Sequence, residues 1–168
     1  MDAPWMGIAR DELGTKELAG AKNNNPRILE YLETVGSFKT DETAWCSAFA
    51  NWVMKQAGVK GTGLANARSW LQWGYPLAHP EYGCIVVFSR GSSTWQGHVA
   101  FYIRQKGNDI IVLGGNQSNS VSVSRYAKSR LLGYRWPYPV GEVTTRDASG
   151  RVTSRQTIEG SVITGSRR

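Results

Sequence analysis

With two cysteines and two histidines in 168 residues, the chain has little from which to build a disulfide framework or a metal centre. Cys46, His79, Cys84 and His98 show no Cys-x-x-Cys or His-x-x-x-His spacing that would bring two zinc ligands onto one turn. No stretch is apolar for long enough to cross a membrane. The start, Met1-Asp2-Ala3-Pro4, lacks the basic residues and apolar run of a signal peptide, so the expectation is synthesis in the cytoplasm without export signal or stable membrane insertion. The net charge is +7, yet no run of five or six Lys and Arg occurs. A spread basic surface eases approach to any polyanion without marking a nucleic-acid site. No internal repeat is present.

What the chain does have is apolar material: 40% of its residues are hydrophobic, with seven Trp and seven Tyr. That is enough to bury one core. Residues 5 to 13 carry apolar side chains at helical spacing, stopped by Gly14. Asn23 to Asn25 before Pro26 read as cap and first turn of a second helix, with Ile28, Leu29, Leu32 and Val35 as its stripe and Gly36 as its end. Ala44 to Ala57 reads as a third helix with Cys46, Phe49, Ala50 and Val53 on one face, capped by Asp41 or Thr43 and closed by Gly58. Leu64 to Trp73 continues the helical pattern, and Trp70 and Trp73 share a face that fits the core better than a sugar.

The period then changes. Cys84 to Ser89, Val99 to Ile103, Ile110 to Leu113, Val121 to Ser124 and Leu132 to Trp136 read as strands close enough to pair antiparallel. Helices followed by strands give an α+β class, with N-terminal helices packed on an antiparallel sheet of about five or six strands. The division is residues 1–137 as one domain and 138–168 as a Gly, Ser, Thr and Arg-rich tail, linker or late hairpin, with weak pairing expected around Ser149-Gly150.

Two side chains carry chemistry. Cys46 falls in the first turn of a helix, where unpaired amides and the helix dipole favour a thiolate. A cysteine on an apolar face is more often a small hydrophobe, so the case needs a base. His98 opens a strand after Gly97 and can take a thiol proton. A three-residue loop at Lys106-Gly107-Asn108 would pair Gln105 with Asp109 and His98 with Asn116, with Cβ atoms about 5 Å apart. Asn116 could then accept the imidazole N–H and fix its rotation. A loop of Gly107-Asn108 alone would set Gln117 opposite His98 instead. Gly114 and Gly115 leave room for a substrate or for the helix, or mark a bulge. Cys84 reads as buried filler, and Asp41-Glu42 as helix-dipole partners rather than a glycosidase pair.

The strings Trp45-Cys46-Ser47-Ala48-Phe49, Ala67-Arg68-Ser69-Trp70-Leu71, Trp73-Gly74, Gly83 to Phe88, Gly97-His98-Val99 and Gly114-Gly115-Asn116-Gln117, in that order, resemble the small papain-like NlpC and CHAP-type cysteine peptidases of phage lysins and delivered bacterial toxins. The likeness runs from about Trp5 to Pro137. It implies a helix bearing the nucleophile Cys46, packed on an antiparallel sheet bearing the base His98, with Asn116 in the variable third position. It also implies an amidase or endopeptidase acting on peptidoglycan without a cofactor. Many relatives show Gly-Asp where Gly83-Cys84 stands, and CHAP members often have Gln in place of Trp45, which leaves the oxyanion donor open; the Cys46 N–H is a candidate. A non-catalytic wall-binding module and an acyltransferase using the same site are the other readings. Further expectations are a monomer, action in the periplasm or cell wall after delivery by a holin or a secretion system, and an immunity or inhibitor protein if the chain is a toxin.

Overall fold

A computed structural model of the chain describes residues 2–18, 25–36, 44–139 and 141–158. Three helices come first: α1 (Trp5–Asp11), α2 (Pro26–Glu33) and α3 (Cys46–Gln56). Asn25 caps α2 by accepting the Arg27 N–H at 2.8 Å, with Pro26 in the first turn as the sequence predicts. The caps expected of Asp41 or Thr43, and Asn23 and Asn24 before Pro26, lie outside the described residues. The fourth helical pattern is corrected to a 3-10 helix, Ala67–Gln72, capped by Asn66 through the Ser69 N–H at 2.7 Å. The irregular stretch before it is held by Asn51, which accepts from Gly63 N–H at 2.8 Å, and by Leu64, whose carbonyl accepts from Ser47 Oγ at 2.7 Å.

Eight strands follow: β1 (Tyr75–Leu77), β2 (Ile85–Ser89), β3 (Gly97–Lys106), β4 (Asp109–Gln117), β5 (Ser120–Ala127), β6 (Leu131–Trp136), β7 (Gly141–Arg146) and β8 (Val152–Ile158). Six form one antiparallel sheet in the order β1-β6-β2-β3-β4-β5. The class is α+β. Strands β2 to β5 run as consecutive hairpins, whereas β6 returns to pair with β2. Short β1 was not foreseen because Pro76 argues against a strand; it sits at the sheet edge, where a missing N–H costs no ladder bond. The other edge, β5, is partly covered by the chain after α1: Val121 N–H donates to Thr15 O at 2.7 Å, and Gly14 N–H donates to Val121 O at 3.0 Å. Strands β7 and β8 form a separate hairpin, in which Asp147 accepts from the Ser149 and Arg151 N–H groups at 2.9 and 3.0 Å.

The core lies between α3 and the sheet. Phe49 on α3 meets Phe101 on β3 edge-on at 6.2 Å and Tyr31 on α2 at 5.2 Å. Burying each such ring contributes roughly 1.5–3 kcal/mol. Gly115 on β4 permits the close approach: a Cβ there would stand 2.6 Å from Phe49 Cβ and 2.8 Å from the Trp45 ring. Trp70 and Trp73 are both buried, 4.8 Å apart and edge-on, and their indole N–H groups donate to Ser47 Oγ and Lys60 O. They are core, as their spacing suggested.

Candidate active site

Helix α3 begins at Cys46, and Trp45 stands at the cap position with no side-chain hydrogen bond to the first turn. The opening amides of a helix have no partners within it. The Ser47 N–H and the Val99 N–H of β3 both act to lower the pKa of the Cys46 thiol. The first turn is held by Ser47, whose Oγ donates to Leu64 O and accepts from Trp70 Nε1 at 2.9 Å, while Asn51 Nδ2 donates to Ser47 O at 2.9 Å.

His98 on β3 adjoins the same sulfur and lowers its pKa. Burial pushes the Cys46 thiol up, but His98 and the two backbone N–H groups outweigh it. Its pKa therefore lies below the ordinary 9.0. Cys84 shows the contrast. Fully buried at the head of β2, its thiol is pushed up to about 12 by burial, and the two cysteines are not bridged. It packs, as expected.

The third residue is corrected. His98 Nε2 lies 2.9 Å from Gln117 Oε1, and Asn116 makes no hydrogen bond to His98. Gln117 is oriented by donating from Nε2 to Ser122 O at 2.6 Å, which leaves its oxygen for the imidazole. His98 therefore donates from Nε2, and Nδ1 is the ring nitrogen left for sulfur. Three departures from simple pairing produce this. The β3–β4 loop is two residues, with Lys106 opposite Asp109, and a shift between Tyr102 and Arg104 restores the register expected from the longer loop. Asn116 then takes a left-handed φ of 56° within an irregularity between Gly114 and Gln117, so the alternation of side chains breaks there. Gly114 makes room: a Cβ on it would stand 2.6 Å from Gln117 Oε1. The glycine pair thus serves both helix approach and bulge.

An aromatic stack backs the imidazole. Tyr126 on β5 lies 4.8 Å from the His98 ring at 28°, Phe88 stacks on Tyr126 at 4.9 Å, and the Arg130 guanidinium sits 5.2 Å over Tyr126. Burial and the charge of Cys46 raise the Tyr126 pKa, and Arg130 opposes them. Cys46, His98, Asn116 and Tyr126 line an open cleft of about 310 Å³, together with Asn66, Trp95 and Arg130. Tyr126, Trp95 and Arg130 were missed in the sequence. Trp95 had a signal, an aromatic in the polar loop Gly91 to Gln96; Tyr126 and Arg130 had none short of the folded sheet.

A thiol, an imidazole and a carboxamide drawn from a helix N-terminus and two neighbouring strands lie in residues 46–117, and residues 38–116 match the family model described as the CHAP domain. That stretch, just under half of the chain, is similar to a CHAP domain. The chain's fold is papain-like, and among solved structures it is similar to an NlpC/P60 family protein from Bacillus cereus ATCC 10987, at 18% identity and a TM-score of 0.51, covering 80% of this chain and 39% of that one. It is also similar to a lipoprotein-like NLP/P60 family protein from Staphylococcus aureus subsp. aureus Mu50, at 21% identity and a TM-score of 0.47, covering 78% of this chain and 39% of that one. The chain thus spans about two fifths of the length of these relatives. No curated protein matches it. Gln117, the residue that meets His98, stands one position beyond the matched stretch.

Proposed function

We propose that the chain is a cysteine-dependent peptidoglycan hydrolase, with the activity in residues 1–137. The observation that carries the reading is the Cys46 thiol beside the His98 imidazole on the wall of an open cleft, its pKa lowered by His98 and by two neighbouring backbone N–H groups. The Cys46 thiolate attacks an amide carbonyl carbon, and the amide at the start of α3 faces the developing oxyanion. The C–N bond breaks as His98 gives its proton to the leaving amine. Water, deprotonated by His98, then releases the acid from the thioester and restores the thiol. Gln117 holds the imidazole through both proton transfers. The bond is one in the stem peptide or the junction between the lactyl group and alanine. Among the described residues no helix is long and apolar enough to cross a membrane; access to the wall is assigned to a holin or a secretion machine, and a toxin role to a cognate inhibitor.

The test is release of soluble muropeptides from purified peptidoglycan by the wild-type chain and by Cys46→Ala. Release by the wild type alone supports the reading, and fragment masses name the bond. Equal release refutes it, and incorporation of an added amine in place of water would make the chain an acyltransferase.

A further inference from the structure

Among the described residues, the cationic side chains Arg90 and Arg130 line the cleft beside Cys46, and no described Asp or Glu does. Both cations belong to the same end of β2: Arg90 follows Ser89, whose carbonyl oxygen accepts from Arg130 Nε at 3.0 Å and Nη2 at 2.8 Å. Those bonds and the Tyr126 ring beneath its Cζ hold Arg130 in one pose. Its Nη1 has no acceptor among the described residues, and Arg90 is exposed without an ion pair among them. A guanidinium already fixed loses little freedom on binding and offers a planar pair of donors.

Arg130 is also near the chemistry. It lies over Tyr126, and Tyr126 stacks on His98, so one aromatic ring separates the guanidinium from the base. A group held there belongs to the substrate residue at the scissile amide or next to it. The complementary group is a carboxylate, which matches planar N–H donors in a charge-assisted pair. On the peptidoglycan reading, on which this rests, we infer that Arg130, assisted by Arg90, forms a carboxylate subsite selecting stem peptides whose free carboxylate adjoins the cleaved bond over their amidated forms. The amide keeps the shape and loses the charge.

Binding tests this apart from turnover. The Cys46→Ala chain is titrated calorimetrically with a disaccharide tetrapeptide muropeptide bearing free carboxylates and with the same compound converted to carboxamides. The amidated compound should bind about tenfold or more weakly, the scale of a charge-assisted hydrogen bond. With Arg130→Gln added, the two affinities should converge, and Arg130→Lys should restore part of the difference. Arg90→Gln, a change at an exposed side chain, should narrow the gap even if Arg130→Gln lowers the melting temperature. Equal binding of the two compounds to the Cys46→Ala chain overturns the subsite and leaves the hydrolase reading intact. A difference that survives both arginine substitutions also overturns it, and binding of neither compound overturns both.

Discussion

Replacing Gln117 by leucine should slow the chemistry of Cys46, whereas Asn116→Gly should not. Gln117 Oε1 accepts the His98 Nε2 proton at 2.9 Å, in a residue only 2% exposed, where no solvent water readily takes its place. A hydrogen bond to a charged group contributes about 1.5–3 kcal/mol. Losing it when His98 is an imidazolium should slow the reaction about 10- to 150-fold. Leucine nearly fills the volume, but Ser122 O loses the donor now 2.6 Å away, costing stability on the order of 1–3 kcal/mol. Asn116 holds φ 56°, which glycine adopts without strain, and its side chain makes no hydrogen bond to His98, so its replacement should change the rate by less than about threefold. The assay is the rate of Cys46 alkylation by iodoacetamide at pH 7, read by mass spectrometry beside muropeptide release and a thermal melt. Cys84 does not compete, because its thiol is buried and its pKa raised. Full reactivity in Gln117→Leu, or an equal loss in Asn116→Gly, would refute the assignment of the orienter.

In His98→Ala the two largest influences lowering the Cys46 pKa vanish while burial remains, so the pKa rises. The pH midpoint of alkylation should move up from below 9.0, with slow alkylation at pH 7 recovered by raising the pH; an unmoved midpoint would deny the pairing. Gly115→Ala would set a Cβ 2.6 Å from Phe49 Cβ, pushing α3 from the sheet. Overpacking of that kind costs about 1–3 kcal/mol, and an unchanged melting temperature would show that the helix does not depend on the gap.

The sequence by itself determined the α+β class, α1 to α3 and the strands β2 to β6, and it singled out Cys46 and His98, which the fold brings into one cleft. Each follows from local signals: apolar periods of 3.6 and 2, the Asn25-Pro26 start, and a cysteine and a histidine at element ends. Tertiary structure alone decided that β6 lies beside β2, that β1 completes the edge, that the Leu64 stretch is irregular before a 3-10 helix, and that Gln117 meets His98. The reason in the last case is a period of two. One left-handed residue, Asn116, reverses which side chain faces the imidazole, and no count of loop residues reveals that conformation. The cleft likewise needed the whole sheet, because Trp95, Tyr126 and Arg130 come from separate loops and strands and meet only after β2 to β6 have paired.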